Sequence, residues 1–310
     1  MSTIIEADCT QTAGAFFQEV SLKIHLAAVL LLAVTAVRAA EAPQEQTFTE
    51  IQPGADVVNP QKLIPLVERG DVRAMNNIGL LWARGVGVPA ADFNEAQRWW
   101  KEAARRGYAV SMNNLGLLYA NGQGVKQDYA AARKWWEMAA ERGNAWAMNS
   151  VGDLYEHGLG VQQSYGDALT WYRRAADAGD GLAMYNLGAL YEGGRGVEEN
   201  LKAAYDWFNR SADKGIASAM YSLGSMLNEG RGLPADKAEA HAWHTLAGRY
   251  FAAEEREEAQ ANSDALKKIS PMLSATEAQR AAELVKNLGD RIEERRKAQP
   301  IEAGPGETET

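Results

Sequence analysis

Cysteine is all but missing from this 310-residue chain, in which Cys9 is the only one. It sits near the N-terminus, so the rest of the chain can form no disulfide and must be stabilised by packing. Long hydrophobic runs are missing as well. The longest uncharged apolar stretch, Leu26 to Val37, has twelve residues, short of the ~20 that a membrane-spanning helix needs. There is no basic excess either. The 32 Lys and Arg residues face 41 Asp and Glu, for a net charge of −9, and an acidic chain does not suit nucleic acid. What remains is 46% apolar, enough to build a large core.

The short apolar run is preceded by Lys23 and followed by Val37-Arg38-Ala39, with small residues at the −3 and −1 positions of a bond after Ala39. It reads as a secretory signal spanning residues 1–39, with an uncleaved anchor as the lesser alternative. Met1 to Leu22 carries no base and three acids. Initiation near Val20 would put Lys23 in an ordinary n-region, and an atypical long n-region is the other reading. The expectation is a periplasmic or secreted protein that does not insert into the membrane after cleavage. No cysteine follows the run to carry a lipid. Residues 40–58 read as a disordered linker and residues 298–310 as a disordered tail.

Self-similarity dominates the rest. Trp99, Trp135, Trp171, Trp207 and Trp243 recur every 36 residues, and Gly79, Gly116, Gly152, Gly188 and Gly224 keep the same beat with one extra residue in the first interval. Each unit reads as a helix A, a Gly-x-Gly turn and a helix B. Asp92, Asp128, Ser164, Asn200 and Asp236 are N-cap residues for the helices B, and Gly107, Gly143, Gly179 and Gly215 close them. The column Ala96, Ala132, Ala168, Ala204 and Ala240 marks a close backbone approach. Met75, Met112, Met148, Met184 and Met220 read as gap-filling core, and the tryptophan column is expected in the core too, where it would dominate stability.

The pattern A-x-x-x-N-L-G-x-L-Y-x-x-G-x-G-V-x-x-D-Y-x-x-A-x-x-W-x-x-x-A-A-x-x-G, read from Ser111 to Gly143 and from Ala183 to Gly215, resembles the Sel-one-like repeat, a relative of the tetratricopeptide repeat. The resemblance implies an all-α, right-handed superhelical solenoid of five helix pairs over residues 59–251, whose helices A line a concave groove that binds protein. A helix over Asn59–Arg69 is expected to cap the first repeat. Two helices within residues 252–297 are expected to seal the other end, the last one opened by the capping box Ser274/Glu277 and striped by Ala281, Val285, Leu288 and Ile292.

Catalytic signatures are thin. Ser211-Ala212-Asp213-Lys214 matches S-x-x-K, but no S-D-N or K-T-G accompanies it, and Ser211 occupies a column of alanines. The Gly-x-Gly turns lack a third glycine or a G-K-[ST] and read as helix C-caps. His241 and His244 could share a helix face, yet no third ligand is near in sequence and His244 stands in an aromatic column, so packing is favoured over metal. A cysteine-rich branch of the resembled family is linked to β-lactam binding or hydrolysis, and this chain lacks those cysteines. A β-lactamase or penicillin-binding enzyme is therefore the alternative to the main reading, a non-enzymatic protein-binding scaffold or adaptor of the bacterial envelope without cofactor or metal.

The candidate binding stripe lies on the helices A at i, i+4, i+7: Asn76, Asn113, Asn149 with Asp153 and Glu156, Tyr185 with Glu192, and Tyr221. Amides can pair with a peptide backbone, so the expected partner is a protein or an extended peptide. Asp153, Glu156 and Glu192 favour basic residues in it. Asn77, Asn114, Ser150, Asn186 and Ser222 could reach the same groove or bond the next repeat's backbone.

Overall fold

The computed structural model describes residues 60–251 and 255–298, all within the compact unit Glu50–Thr310. The signal, the linker and all but the first residue of the tail lie outside the described residues. Within them the chain is an all-α solenoid. Helix α1 (Pro60–Glu68) precedes five pairs: α2 (Val72–Arg84) with α3 (Phe93–Arg105), α4 (Ala109–Asn121) with α5 (Tyr129–Ala140), α6 (Ala145–His157) with α7 (Tyr165–Asp177), α8 (Gly181–Glu192) with α9 (Leu201–Ala212), and α10 (Ala217–Glu229) with α11 (Lys237–Tyr250). Helix α12 (Arg256–Ile269), a 3₁₀ turn and α13 (Ala275–Ala298) follow. Among the described residues no helix is long and apolar enough to cross a membrane.

The local chemistry explains the boundaries. All five predicted N-caps accept from the first turn of helix B: Asp92 from the Glu95 amide at 3.2 Å, Asp128 from Ala131 at 2.9 Å, Ser164 from Asp167 at 3.2 Å, Asn200 from Ala203 at 2.9 Å and Asp236 from Glu239 at 3.0 Å. Each satisfies a donor that the helix itself cannot. In the turns, the second glycine answers to its neighbour repeat. Gly124 has φ +70°, and a Cβ there would lie 2.7 Å from Cβ of Phe93, one repeat back.

The helices of a pair pack along the glycine ladder. A Cβ at Gly116 would fall 2.4 Å from the Trp136 ring, and at Gly152, Gly188 and Gly224 the same hypothetical atom meets Tyr172, Phe208 and His244 at 2.5–2.7 Å. These second aromatics, not the repeated tryptophans, fill the core. Trp100, Trp136, Tyr172, Phe208 and His244 are 0–5% exposed, whereas Trp99, Trp135, Trp171 and Trp207 are only half-buried.

The expectation of a core tryptophan column is corrected accordingly. Adjacent positions on a helix point ~100° apart, and the one aimed at the glycine takes the interior. The repeated tryptophan covers the seam between repeats, as Trp171 does by packing against two successive core clusters. Trp171 and Trp207 each lie under an arginine one turn on, Arg174 and Arg210, at 4.1 Å. Trp243 is the exception at 1% exposure, because the C-terminal helices close over the last repeat. The methionine and alanine columns are buried throughout.

That closure is specific. Ser274 and Glu277 form the capping box, with the Glu277 carboxylate accepting from the Ser274 amide at 2.8 Å. Ala281 and Ile292 are buried, and Val285 and Leu288 pack on the last core cluster. Helix α13 lies against α11 and reaches back one repeat, where Arg291 and Arg295 both pair with Asp213.

Candidate binding face

Helices A of successive repeats, such as α4 and α6, approach one another directly, so their shared face is the inner one. The stripe read from the sequence lies on it, but the structure buries much of what was expected to face solvent. Asn76 and Asn113 are 4% exposed, Asn149 and Asp153 9%, and Glu156 8%, while Tyr185, Glu192 and Tyr221 are half-buried. The reason is a side-chain ladder. Asn114 donates to Oδ1 of Asn76 at 3.0 Å, and Asn186 donates to Oδ1 of Asn149 at 3.0 Å. Asn114 and Asn186 thus reach the stripe itself and bond a side chain one repeat back rather than a backbone group.

One rung is missing. Ser150 is too short to reach Asn113 and its hydroxyl donates instead to the carbonyl of Trp146 at 3.0 Å, leaving Oδ1 of Asn113 buried without a partner. Such an atom carries a desolvation cost of ~1–3 kcal/mol. Replacing Ser150 with Asn is therefore expected to complete the ladder and stabilise the protein by about 1 kcal/mol in urea denaturation, a gain that Asn113→Ala abolishes.

The acids are also engaged from within. Glu156 pairs with Arg195 at 2.6 Å, and Glu192 with Arg231 at 3.0 Å. Both arginines are the middle residue of the next repeat's Gly-x-Gly turn, so the charge pattern could have been found by comparing turns with the ends of the preceding helices A. Tyr172 is fully buried and its hydroxyl lies 2.6 Å from Oδ1 of Asp153 and 2.7 Å from Oε2 of Glu156. Burial, reinforced by Glu156 and Asp180, pushes the Asp153 carboxyl up to about 8 and outweighs the opposing Tyr172 bond. The row of free carboxylates anticipated for a basic partner is thus replaced by two ion pairs and a buried carboxyl whose pKa is raised.

Sequence reasoning missed Trp146. It is 43% exposed and lies one turn before Asn149 and Ser150 on α6, in a column with Val110 and Leu182 in the flanking repeats, both half-buried. It stands outside the 36-residue tryptophan ladder, and that irregularity was the available signal. Elsewhere, Ser211 is 0% exposed and donates to the Gly181 carbonyl at 2.7 Å, so its hydroxyl is committed to packing. His244 is buried and its Nδ1 meets Asn262 Oδ1 at 2.8 Å, while His241 Nε2 meets Ser270 at 3.1 Å. Among the described residues no three side chains gather as metal ligands.

The Sel1 repeat family model matches residues 72–108, 109–144, 147–180, 181–216 and 217–249, together more than half of the chain. A solved Sel1 repeat protein from Oxalobacter formigenes is 33% identical, covering 64% of this chain and 88% of its own at a TM-score of 0.57. The protein c5321, a protective antigen of uropathogenic Escherichia coli with the same kind of fold, is 20% identical over 82% of this chain and 62% of its own, at a TM-score of 0.45. A Sel1 repeat protein from Klebsiella pneumoniae is 23% identical over 68% of this chain and 99% of its own, at a TM-score of 0.44. No curated protein matches the chain.

Proposed function

Because the chain belongs to the Sel1 repeat family, whose solenoids are typically protein-interaction scaffolds, we propose that it is a non-catalytic adaptor that holds an extended segment of another protein along its helices A. The observation that carries this reading is Trp146, a large aromatic left exposed on the inner face of the central repeat. Tryptophan is enriched among the few residues that dominate binding energy at interfaces. The surrounding acids are compensated by Arg195 and Arg231, so the proposed segment is anchored by an apolar or aromatic side chain rather than by lysine or arginine.

The proposed site of action is the bacterial envelope, after export and cleavage behind Ala39. Intact mass of the protein from a periplasmic fraction would then start at Ala40. The binding reading is tested by capture from envelope extracts with three proteins: wild type, Trp146→Ser, and Met138→Ser, which removes an exposed side chain from helix α5 instead. A partner is expected to bind wild type and Met138→Ser alike and to lose about tenfold or more in affinity for Trp146→Ser, the size of a single hot-spot loss. Retention by Trp146→Ser would move the interface off the helices A.

A further inference from the structure

The cluster around Tyr172 contains a proton count that does not close with ionised acids. A phenol has one hydrogen to donate. The Tyr172 hydroxyl nevertheless sits 2.6 Å from Asp153 and 2.7 Å from Glu156, both oxygens in a fully buried setting where an unbridged oxygen–oxygen contact is repulsive. A second proton on Asp153 resolves the geometry. Asp153 then donates to the phenol oxygen, the phenol donates to Glu156, and Glu156 carries the single negative charge that Arg195 meets at 2.6 Å.

The cluster is also a joint. Asp153 and Glu156 come from α6 and Tyr172 from α7, both in the third repeat. Asn186 from α8 donates to Asn149 at 3.0 Å and to Asp153 at 3.4 Å, and Arg195 belongs to the turn after α8. No other repeat can build it, because the positions of Asp153 in the other units are Leu80, Leu117, Ala189 and Ser225, and those of Tyr172 are Trp100, Trp136, Phe208 and His244.

We infer that the joint between the third and fourth repeats is a proton-operated hinge, closed while Asp153 keeps its proton and loosened when that proton leaves. Ionised Asp153 places two carboxylates on one hydroxyl hydrogen, with buried Asp180 at the start of α8 as a third nearby acid. Arg195 faces them and is already paired with Glu156, while His157 meets the Asp153 backbone carbonyl at 2.9 Å. Separating α6 from α7 and α8 lets water reach the ionised Asp153 and removes the cost of burying it, which is the largest cause of its raised pKa. The inference rests on the proposed binding role only for its purpose, because opening this joint reshapes the inner face beside Trp146; the hinge itself exists without a partner.

The direction with pH follows from linkage. An Asp that holds its proton to about 8 when folded, but releases it near 4 when unfolded, favours the folded state at low pH. Its contribution is complete below about pH 4, is lost at up to about tenfold in equilibrium constant per pH unit through the window, and is gone above about 8.

The test uses partner-free protein. Carboxyl-carbon NMR of Asp153, small-angle scattering and urea melts are compared at about pH 6 and about pH 9 for wild type, Asp153→Asn and Tyr172→Phe. Asn mimics the protonated acid, and Phe already fills the same column at Phe208. Wild type is expected to show a late Asp153 titration, a lower urea midpoint at the higher pH and an expanded solution shape. Asp153→Asn is expected to flatten the urea and shape responses, and Tyr172→Phe to shift the pH at which expansion occurs. An Asp153 resonance that titrates in the ordinary carboxylate range, or a wild-type pH response equal to that of Asp153→Asn, overturns the hinge while leaving the capture experiment unaffected.

Discussion

Phe208→Ala is expected to destabilise the solenoid by about 3–5 kcal/mol, the range for truncating a large core aromatic, and to do so by more than Trp207→Ala at the adjacent position. Phe208 is 0% exposed and a Cβ placed on Gly188 would fall 2.6 Å from its ring. Its removal leaves a cavity between α8 and α9 that rigid helices collapse into only partly. Trp207 is half-buried and lies beneath Arg210 on its own helix at 4.1 Å, so much of the space it vacates opens to water. Helical circular dichroism in urea reports both variants without relying on tryptophan emission. A larger loss for Trp207→Ala would place the main packing load on the seam between repeats and not within each pair.

Gly116→Ala is expected to reverse the usual sign of that substitution. In an unencumbered helix interior the change gains up to ~1 kcal/mol. Here the added carbon would lie 2.4 Å from both Cδ1 and Nε1 of Trp136, far inside contact distance. The indole is 5% exposed and held by Ala96, Ala132 and Leu115 in one core cluster, so it has no free direction in which to retreat. A loss of about 3 kcal/mol is expected, the upper end for overpacking. The pair is also expected to couple: in the background of Trp136→Leu, whose shorter side chain vacates the ring plane, Gly116→Ala should cost at least 1 kcal/mol less. Equal costs in both backgrounds would mean that the glycine serves backbone flexibility and not clearance.

Most of the scaffold was legible because it repeats. The five helix B caps, the closing glycines and the Ser274/Glu277 box are local signals that need no tertiary information, and each occurs where the sequence put it. The tryptophan column misled because identity across repeats records a shared environment and does not say whether that environment is the core or a seam. Ring chemistry at the neighbouring position varies from indole to phenol to phenyl to imidazole, yet all five rings face a glycine, and that pairing was present in the sequence as two ladders that were not matched to each other.

The exposure of the binding stripe was not legible for a different reason. Its periodicity located the inner face, but solvent exposure on that face depends on how closely successive helices A approach. The Asn76–Asn114 and Asn149–Asn186 bonds span 38 and 37 residues, a separation that helix periodicity within one unit does not address. Trp146 gave no comparable signal, because its column carries Val110 and Leu182 in the flanking repeats and no second aromatic.

Helix α13 gives the array a direction. Its two arginines on Asp213 tie the last two repeats and the closing helices into one block, whereas among the described residues the first repeat is covered by the nine-residue α1. In a chain where each unit touches only its neighbours, the stretch with the fewest ties frays first. Thermal opening is therefore expected to start at the amino-terminal end and to advance toward the missing Asn113 rung, an order that hydrogen exchange resolved by repeat would check. The carboxyl-terminal block is the part that persists longest, and it is the surface on which a partly opened chain would rewind.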